Sequence, residues 1–343
     1  MAIYLHEKYS KEVEQKFTRD SFLSGKASTK YTFEGVKTVN IPTIVSQALN
    51  NYTRSGANRY GTPQEVQDTM QSLTMANDKG FSMTVDKGNH TEQQAIKEAG
   101  RVLKVEMDEI VIPEVDKNAI KQWTKYAGKV VKEAAALDKT NVLAKLLAAR
   151  TYLVNNKVKL DNVYVGVSST VYALLLQTTE FVSADKLNTD VLSNGVVGKV
   201  YNMIVVEIPD DYFPSNMNFI VWKKDAVLMP KKIWDTKVHM DPPGLSGHLL
   251  EGRFIYDAFV IGEKACGVYV SATNSATKCA TPTNNSGTLA CSTSGATIMY
   301  TLDGTDPRYS TSAKAYTSQL SSTTGLKAVA FKDGAFTSDI LAL

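Results

Sequence analysis

Apolar residues in the first quarter of the chain alternate with polar ones instead of recurring every three or four positions. The run Tyr31-Thr32-Phe33-Glu34-Gly35-Val36-Lys37-Thr38-Val39 predicts a strand, and Phe81-Ser82-Met83-Thr84-Val85-Asp86 predicts its return. Between them lie turn formers: Asn50-Asn51, Ser55-Gly56 and Tyr60-Gly61-Thr62-Pro63. An isolated two-stranded ribbon is marginal in water, and no other stretch reads as its cover. The pattern therefore predicts that residues 30–90 gain their order by lying on a neighbouring copy. Gly56, Gly61, Gly80 and Gly88 would let the ribbon bend differently in different surroundings. Ahead of it, residues 1–29 read as an arm whose large anchors are Val13, Phe17 and Phe22.

Helical spacing begins at Thr91. Ala95, Ile96, Ala99, Val102, Leu103 and Ile110 share one face, and Thr91 with Gln94 supplies a capping box. Glu92, Lys97, Glu98, Arg101 and Glu106 occupy the solvated face. Pro113 is expected to kink or restart this helix, whose stripe continues through Val115, Ile120, Trp123 and Tyr126. Residues 138–270 read as one α/β unit. It has a helix from Thr140 to about Leu153 with caps in Asp138-Lys139-Thr140-Asn141, and a buried strand at 163–167. Ser168-Ser169 then caps a helix to about Gln177, and further strands fall at 203–208, 218–222, 237–241 and 255–261. Composition changes at Ser271: up to Thr293 the chain is small and polar, the texture of a linker or an edge strand. Thr297-Ile298-Met299-Tyr300-Thr301-Leu302, the turn Asp303-Gly304-Thr305-Asp306-Pro307, the run 326–331 and a strand near Ile340 predict a small separate β-sandwich.

With 343 residues and 43% hydrophobic content, the chain can bury two or three cores. A net charge of +3 argues against a dedicated nucleic-acid reader, though not against a surface that merely faces DNA. No apolar run is long enough to span a bilayer, and the first eight residues lack the pattern of a signal peptide, which points to synthesis without export. Cys266, Cys279 and Cys291 form no CxxC pair; buried free thiols are the simpler reading, with a Cys279–Cys291 bridge in an oxidising medium as the alternative.

The search for chemistry ends without a site. His6, His90, His239 and His248 are scattered and keep no metal-ligand spacing. Gly195 and Gly198 lack the basic and hydroxyl residues of a phosphate cradle and read as a turn. Asp210-Asp211 carries no sign of the cleft that glycoside hydrolysis needs. Asp303 and Asp306 sit in a turn too short for an EF-hand loop. Lys79 and Lys87 are suitably placed for a lysine–asparagine crosslink between copies, as any solvated lysine would be. No catalytic, cofactor-binding or metal site is expected, and the chain does not read as an enzyme.

The order of parts, arm, long hairpin, long helix and mixed α/β unit, resembles the major capsid protein of tailed bacteriophages with the Hong Kong 97-type shell fold. The resemblance covers residues 1–270. It rests on Val111-Ile112-Pro113-Glu114-Val115-Asp116-Lys117 and Asn194-Gly195-Val196-Val197-Gly198-Lys199-Val200-Tyr201. It rests also on the closing run, with Pro242-Pro243-Gly244-Leu245-Ser246-Gly247-His248, Gly252-Arg253, Tyr256-Asp257-Ala258-Phe259-Val260, Lys264 and Gly267-Val268-Tyr269. The tail, through 298–307 and 326–331, resembles the immunoglobulin-like module at the C-terminus of chitobiases. Together they imply an α+β fold class: a phage capsid shell fold plus a C-terminal β-sandwich.

By that resemblance, residues 1–29 are the N-terminal arm, 30–90 the extended loop and 91–137 the spine helix with part of the peripheral domain. Residues 138–250 are the axial domain, 251–270 the return to the peripheral domain and 271–343 a projecting surface decoration whose removal leaves assembly intact. The implied function is a structural shell subunit: pentamers and hexamers enclosing double-stranded DNA in an icosahedral virion, assembled in the host bacterial cytoplasm. Implied partners are the chain itself, a separate scaffolding protein (no long N-terminal coiled coil is present, unless such a segment is removed ahead of Met1), a portal and other decoration proteins. Non-specific contact with DNA would come from Lys11, Lys16, Arg19, Lys97 and Arg101, and weak glycan contact from Tyr300, Tyr309 and Tyr316. No membrane partner is implied. The competing readings are a surface or secreted glycan-binding protein and an encapsulin-like compartment.

Overall fold

The computed structural model describes residues 21–31, 33, 37–44, 49–63, 65–66, 68–86, 99–178, 182–183 and 196–343. The expected cap at Thr91 and Gln94, and the anchors Val13 and Phe17, lie outside them. Three strands come first: β1 (Thr38–Ile44), β2 (Asp68–Thr74) and β3 (Asn77–Asp86). The long helix is described from Ala99. It comprises α1 (Ala99–Glu106), a π segment (Met107–Val111) and α2 (Ile112–Lys125). The residue expected to disturb it does so upstream of itself. The Pro113 ring would collide with the carbonyl four residues earlier in regular α geometry. The π segment supplies the slack, with the Ile112 N–H donating to the Met107 carbonyl five residues back, so the helix runs on rather than breaking.

A seven-stranded mixed sheet carries the main core. Its strands are β4 (Lys129–Lys132), β5 (Val163–Ser168), β6 (Val182–Ser183), β7 (Val196–Val200), β8 (Met203–Ile208), β9 (Met217–Lys223) and β14 (Val268–Ala272), in the order β4-β14-β9-β5-β8-β7-β6. Helices α3 (Val142–Asn155) and α4 (Ser169–Leu176) cover one face, and α2 lies on the other. That is why the central strand β9 is apolar along almost its whole length. Its Phe219 and Val221 point to the helical cap, while Ile220 and Trp222 point to Trp123 of α2. On β5, Gly166 leaves the gap that Trp222 fills: a Cβ there would stand 2.9 Å from the indole. The sequence placed β5, β8, β9, α3 and α4 to within about two residues but gave no sign of β4 or β6, and Ser168 caps α4 as expected, its hydroxyl accepting from the Val171 N–H.

Four strands complete the body: β10 (Val227–Leu228), β11 (Lys231–Met240), β12 (Gly247–Tyr256) and β13 (Phe259–Val260). β11, β12 and β3 form an antiparallel sheet in that order. One of its faces packs Phe254, Tyr256 and Phe81 against Val111 and Val115 of the long helix. Here the structure corrects two expectations. The strand 81–86 does not close the ribbon on itself; it joins β12, and β1 pairs with β2 instead. Likewise β11, grouped with the α/β unit by sequence, belongs to this second sheet. Strand partners chosen across such separations leave no trace in local alternation.

The C-terminal part holds β15 (Thr283–Asn285), β16 (Thr288–Ala290), β17 (Thr297–Thr301), β18 (Lys314–Ala315), β19 (Lys327–Phe331) and β20 (Leu341–Ala342). A hairpin of β15 and β16 faces a sheet ordered β18-β17-β19-β20 around Cys279, Leu289, Ile298, Leu326, Ala328 and Ala330. The stretch 271–293, expected as a linker or edge strand, therefore supplies part of a core. Ser286 and Gly287 take positive φ (49° and 86°) to turn that hairpin. The boundary expected at Ser271 falls inside β14, where Ser271 and Ala272 are fully buried, so the module begins after Ala272.

Candidate assembly interface

The ribbon has a fixed base and an exposed tip. At the base Ile41 and Leu73 bury against Phe33, Met75, Leu228, Ile255 and Ile261, with Phe33 stacked on Phe259 at 5.9 Å. Gln71 imitates a strand neighbour: its amide donates to the Val260 carbonyl at 2.9 Å and accepts from the Gly262 N–H at 2.9 Å. The buried carboxylate of Asp257 organises the bend between β2 and β3. It accepts from the Ala76 N–H, the Ala258 N–H and the amide groups of Asn77 and Asn118. Along β3, Asp78 takes a two-pronged bond from Arg253, and Lys79 pairs with Glu114 of α2. The expectation that nothing else in the chain covers the ribbon is thus corrected for its base and for β3.

The tip is different. Residues 49–60 are exposed throughout, and so are Ile44, Val66 and Met70 beside them. Leu49 is fully open and Tyr60 is 83% exposed. Yet the tip holds a shape. The Thr53 N–H donates to the Arg59 carbonyl, the Gly61 N–H donates to the Asn58 carbonyl, and Tyr52 meets Tyr60 edge-on at 5.0 Å. Gly61 adopts φ +93°, and Asn50 occupies the space a side chain there would need. Arg54 and Arg59 are the only charges between 49 and 63, so the tip is a basic, aromatic knob with no apolar cover among the described residues.

The arm enters the body through Asp116. This buried carboxylate on α2 accepts from the Ser21 hydroxyl at 2.7 Å and the Phe22 N–H at 2.8 Å. Burial pushes its pKa up, against the pull of those two donors. Trp222 donates to the Lys26 carbonyl, which fixes residues 22–28 on the core.

The residues considered for chemistry take structural parts. His239 stands 3.3 Å from Glu251, while the buried Nδ1 of His248 has no hydrogen-bond partner among the described residues; His6 and His90 lie outside them. Asp210 caps α4 through Thr170, and Asp211 pairs with Lys117 at 2.6 Å. Gly198 sits at an irregularity in the β7–β8 ladder, and Gly195 lies outside the described residues. Asp303 accepts from Thr305 and Ser312, and Asp306 is held by Arg308; among the described residues no cluster has the makings of a metal site. Cys266, Cys279 and Cys291 are free thiols, and burial raises the pKa of the first two. Arg101 is half-buried; Lys11, Lys16, Arg19, Lys87 and Lys97 lie outside the described residues. Among the described residues, no helix is long and apolar enough to cross a membrane.

The residues that sequence reasoning missed lie on the C-terminal module. Tyr309, offered as a sugar platform, is buried: its hydroxyl donates to the Tyr126 carbonyl and its ring rests on Gly262. Tyr300 and Tyr316 form an edge-on pair at 6.3 Å beside the module's core.

The model of the phage capsid protein family matches residues 3–241. That of the chitobiase/beta-hexosaminidase C-terminal domain matches residues 278–341. No curated protein matches the sequence significantly. Among solved structures, the fold is similar to that of Mycobacterium phage Che8, at 17% identity over 78% of this chain and 97% of the other, with a TM-score of 0.58. The capsid of the Cyanophage P-SCSP1u is similar at 12% identity over 78% and 92%, with a TM-score of 0.62. The mature capsid of bacteriophage PhiM1 is similar at 15% identity over 80% and 93%, also with a TM-score of 0.62. A family match spanning most of the chain, on a body with this fold, places it: the chain belongs to the phage capsid protein family, as a non-enzymatic structural component that builds the virion shell from copies of itself.

Proposed function

We propose that this chain forms pentamers and hexamers that close into an icosahedral shell around double-stranded DNA, with the ribbon tip lying on a neighbouring copy. The observation that carries this reading is the tip itself. Leu49, Tyr52 and Tyr60 are exposed on a segment that already holds its own hydrogen bonds. A preshaped apolar surface gives up little conformational entropy on docking. Contacts of this kind are heterologous and close into rings. Charged contacts such as those of Arg54 and Arg59 contribute about 0–1 kcal/mol each at an exposed surface. Weak contacts repeated over a shell allow errors to be corrected during growth.

In this reading residues 30–90 serve as the extended loop and the long helix as the spine. The three-stranded sheet is the core of the peripheral domain and the seven-stranded sheet that of the axial domain. The C-terminal module faces outward, with Tyr300 and Tyr316 left for any sugar contact once Tyr309 is committed to the body. A separate scaffolding protein and a portal complete the assembly in the host cytoplasm, and DNA contact is non-specific and weakened by salt.

The test is expression of the chain with and without a scaffolding partner, followed by negative-stain microscopy. Polyhedral shells or capsomer rings support the proposal. Monomers under every condition, retained on polysaccharide columns, would replace it with the glycan-binding reading.

A further inference from the structure

An α-helix ends with carbonyls that have no partner within it. At the end of α2 the Gln122 and Thr124 carbonyls are met by the Tyr126 N–H, but those that follow are not met from the helix. The C-terminal module meets them in succession. Thr337 donates its hydroxyl to the Lys125 carbonyl at 2.6 Å, and Tyr309 donates to the Tyr126 carbonyl. Arg308 donates from Nη1 to the Ala127 carbonyl at 2.6 Å and, more weakly, to that of Gly128 at 3.4 Å. Two residues on, Lys278 donates to the Val130 carbonyl at 2.8 Å.

Two of these donors, Arg308 and Lys278, are themselves held by carboxylates. The Arg308 guanidinium is nearly buried and grips Asp306 with Nε and Nη2. Lys278 and Lys129, one from each side of the junction, share the Asp339 carboxylate at 2.6 and 2.9 Å. The fit is close on the body side as well, since a Cβ at Gly262 would stand 2.7 Å from the Tyr309 Cβ. The outer face of the module's sheet is consumed by the contact: Thr301 and Val329 are buried, and Phe331 meets Tyr126 at 6.2 Å. The same surface touches the ribbon, where the Thr311 N–H and hydroxyl both donate to the Met70 carbonyl of β2.

We infer that the module is the C-terminal cap of the spine helix and the brace of the ribbon base, and that shell assembly depends on it. Arg308 is the central positioning residue. It fixes where the spine ends, and through Tyr309 and Thr311 the angle at which the ribbon leaves. This replaces the dispensable decoration that the resemblance implied.

The test uses the full-length chain with Arg308→Ala and Arg308→Lys, read by hydrogen exchange and by shell yield. In both variants, amides of 122–132 and 68–74 should exchange at least ~10-fold faster, while those of 297–301 and 326–331 keep their protection. Shell yield should fall several-fold, and lysine should not rescue it because a point-like ammonium lacks the planar fork that reaches Asp306 and the Ala127 carbonyl from separate nitrogens. Should Arg308→Ala unfold the module itself, Thr337→Val removes one cap and leaves the Arg308–Asp306 pair intact; it should speed exchange at 122–127. Unchanged exchange in these segments, or full shell yield from Arg308→Ala or from a chain ending at Ala272, would overturn the inference.

Discussion

The ribbon tip and the C-terminal module look alike in composition and behave in opposite ways. Both are polar, rich in Gly, Ser, Thr and Asn, and both carry tyrosines. The tip holds its shape with hydrogen bonds of its own and leaves its aromatic rings in water, whereas the module turns one face inward to its own core and the other onto the body. The difference lies in where the anchors point. Tyr52 and Tyr60 pack on each other and end there. Tyr309 packs on a glycine that has cleared space for it, next to helix carbonyls that lack donors. A polar surface segment is therefore free or committed according to the needs of what lies opposite it, which composition does not record.

The sharpest way to break this comparison is to remove the tip. Replacing residues 45–67 with Asn-Gly joins β1 to β2 by a two-residue turn that suits the twist of a hairpin. Shells should vanish from micrographs while thermal unfolding of the isolated chain stays within about 3 °C of the parent, since none of the described residues removed is buried. Asp257→Ala acts on the base instead. It strands the Ala76 and Ala258 N–H groups without an acceptor, and the urea midpoint should report a loss of about 2–4 kcal/mol.

Substituting Tyr52→Ser together with Tyr60→Ser should cut shell yield several-fold in quantitative microscopy, with a stability change below about 0.5 kcal/mol. Acid sharpens the other side. Burial of Asp339 works against its ionisation, but Lys278 and Lys129 outweigh that and hold its pKa below the usual value. A carboxylate with a depressed folded value adds stability above its unfolded pKa of about 3.9 and loses it as pH falls through the folded value. Protection at 125–132, corrected for the intrinsic pH dependence of exchange, should therefore fall below about pH 4, and Asp339→Asn should flatten that dependence.

How much of this was legible differs by element. The strands β5, β8 and β9 and the helices α3 and α4 follow from apolar runs and caps, because their burial is dictated by local pattern. The π segment was readable only as trouble near Pro113. The partner of β3 was not readable: Arg253 and Asp78 fix that register from 175 positions apart. The docking residues were hidden for a different reason. In Asp303-Gly304-Thr305-Asp306-Pro307-Arg308-Tyr309 the turn chemistry is plain, but nothing local says that Arg308 and Tyr309 serve a helix ending at Lys125. A large aromatic directly after an arginine, in a turn otherwise made of small polar residues, was the one available sign.

Hydrogen exchange at residues 49–63, compared between dispersed subunits and finished shells, tests the central claim most directly. Fast exchange is expected in the free chain and strong protection in the shell, while 297–301 and 327–331 are protected in both. Equal protection of the tip in the two states would mean that no neighbouring copy covers it, and the assembly reading of this surface would fall.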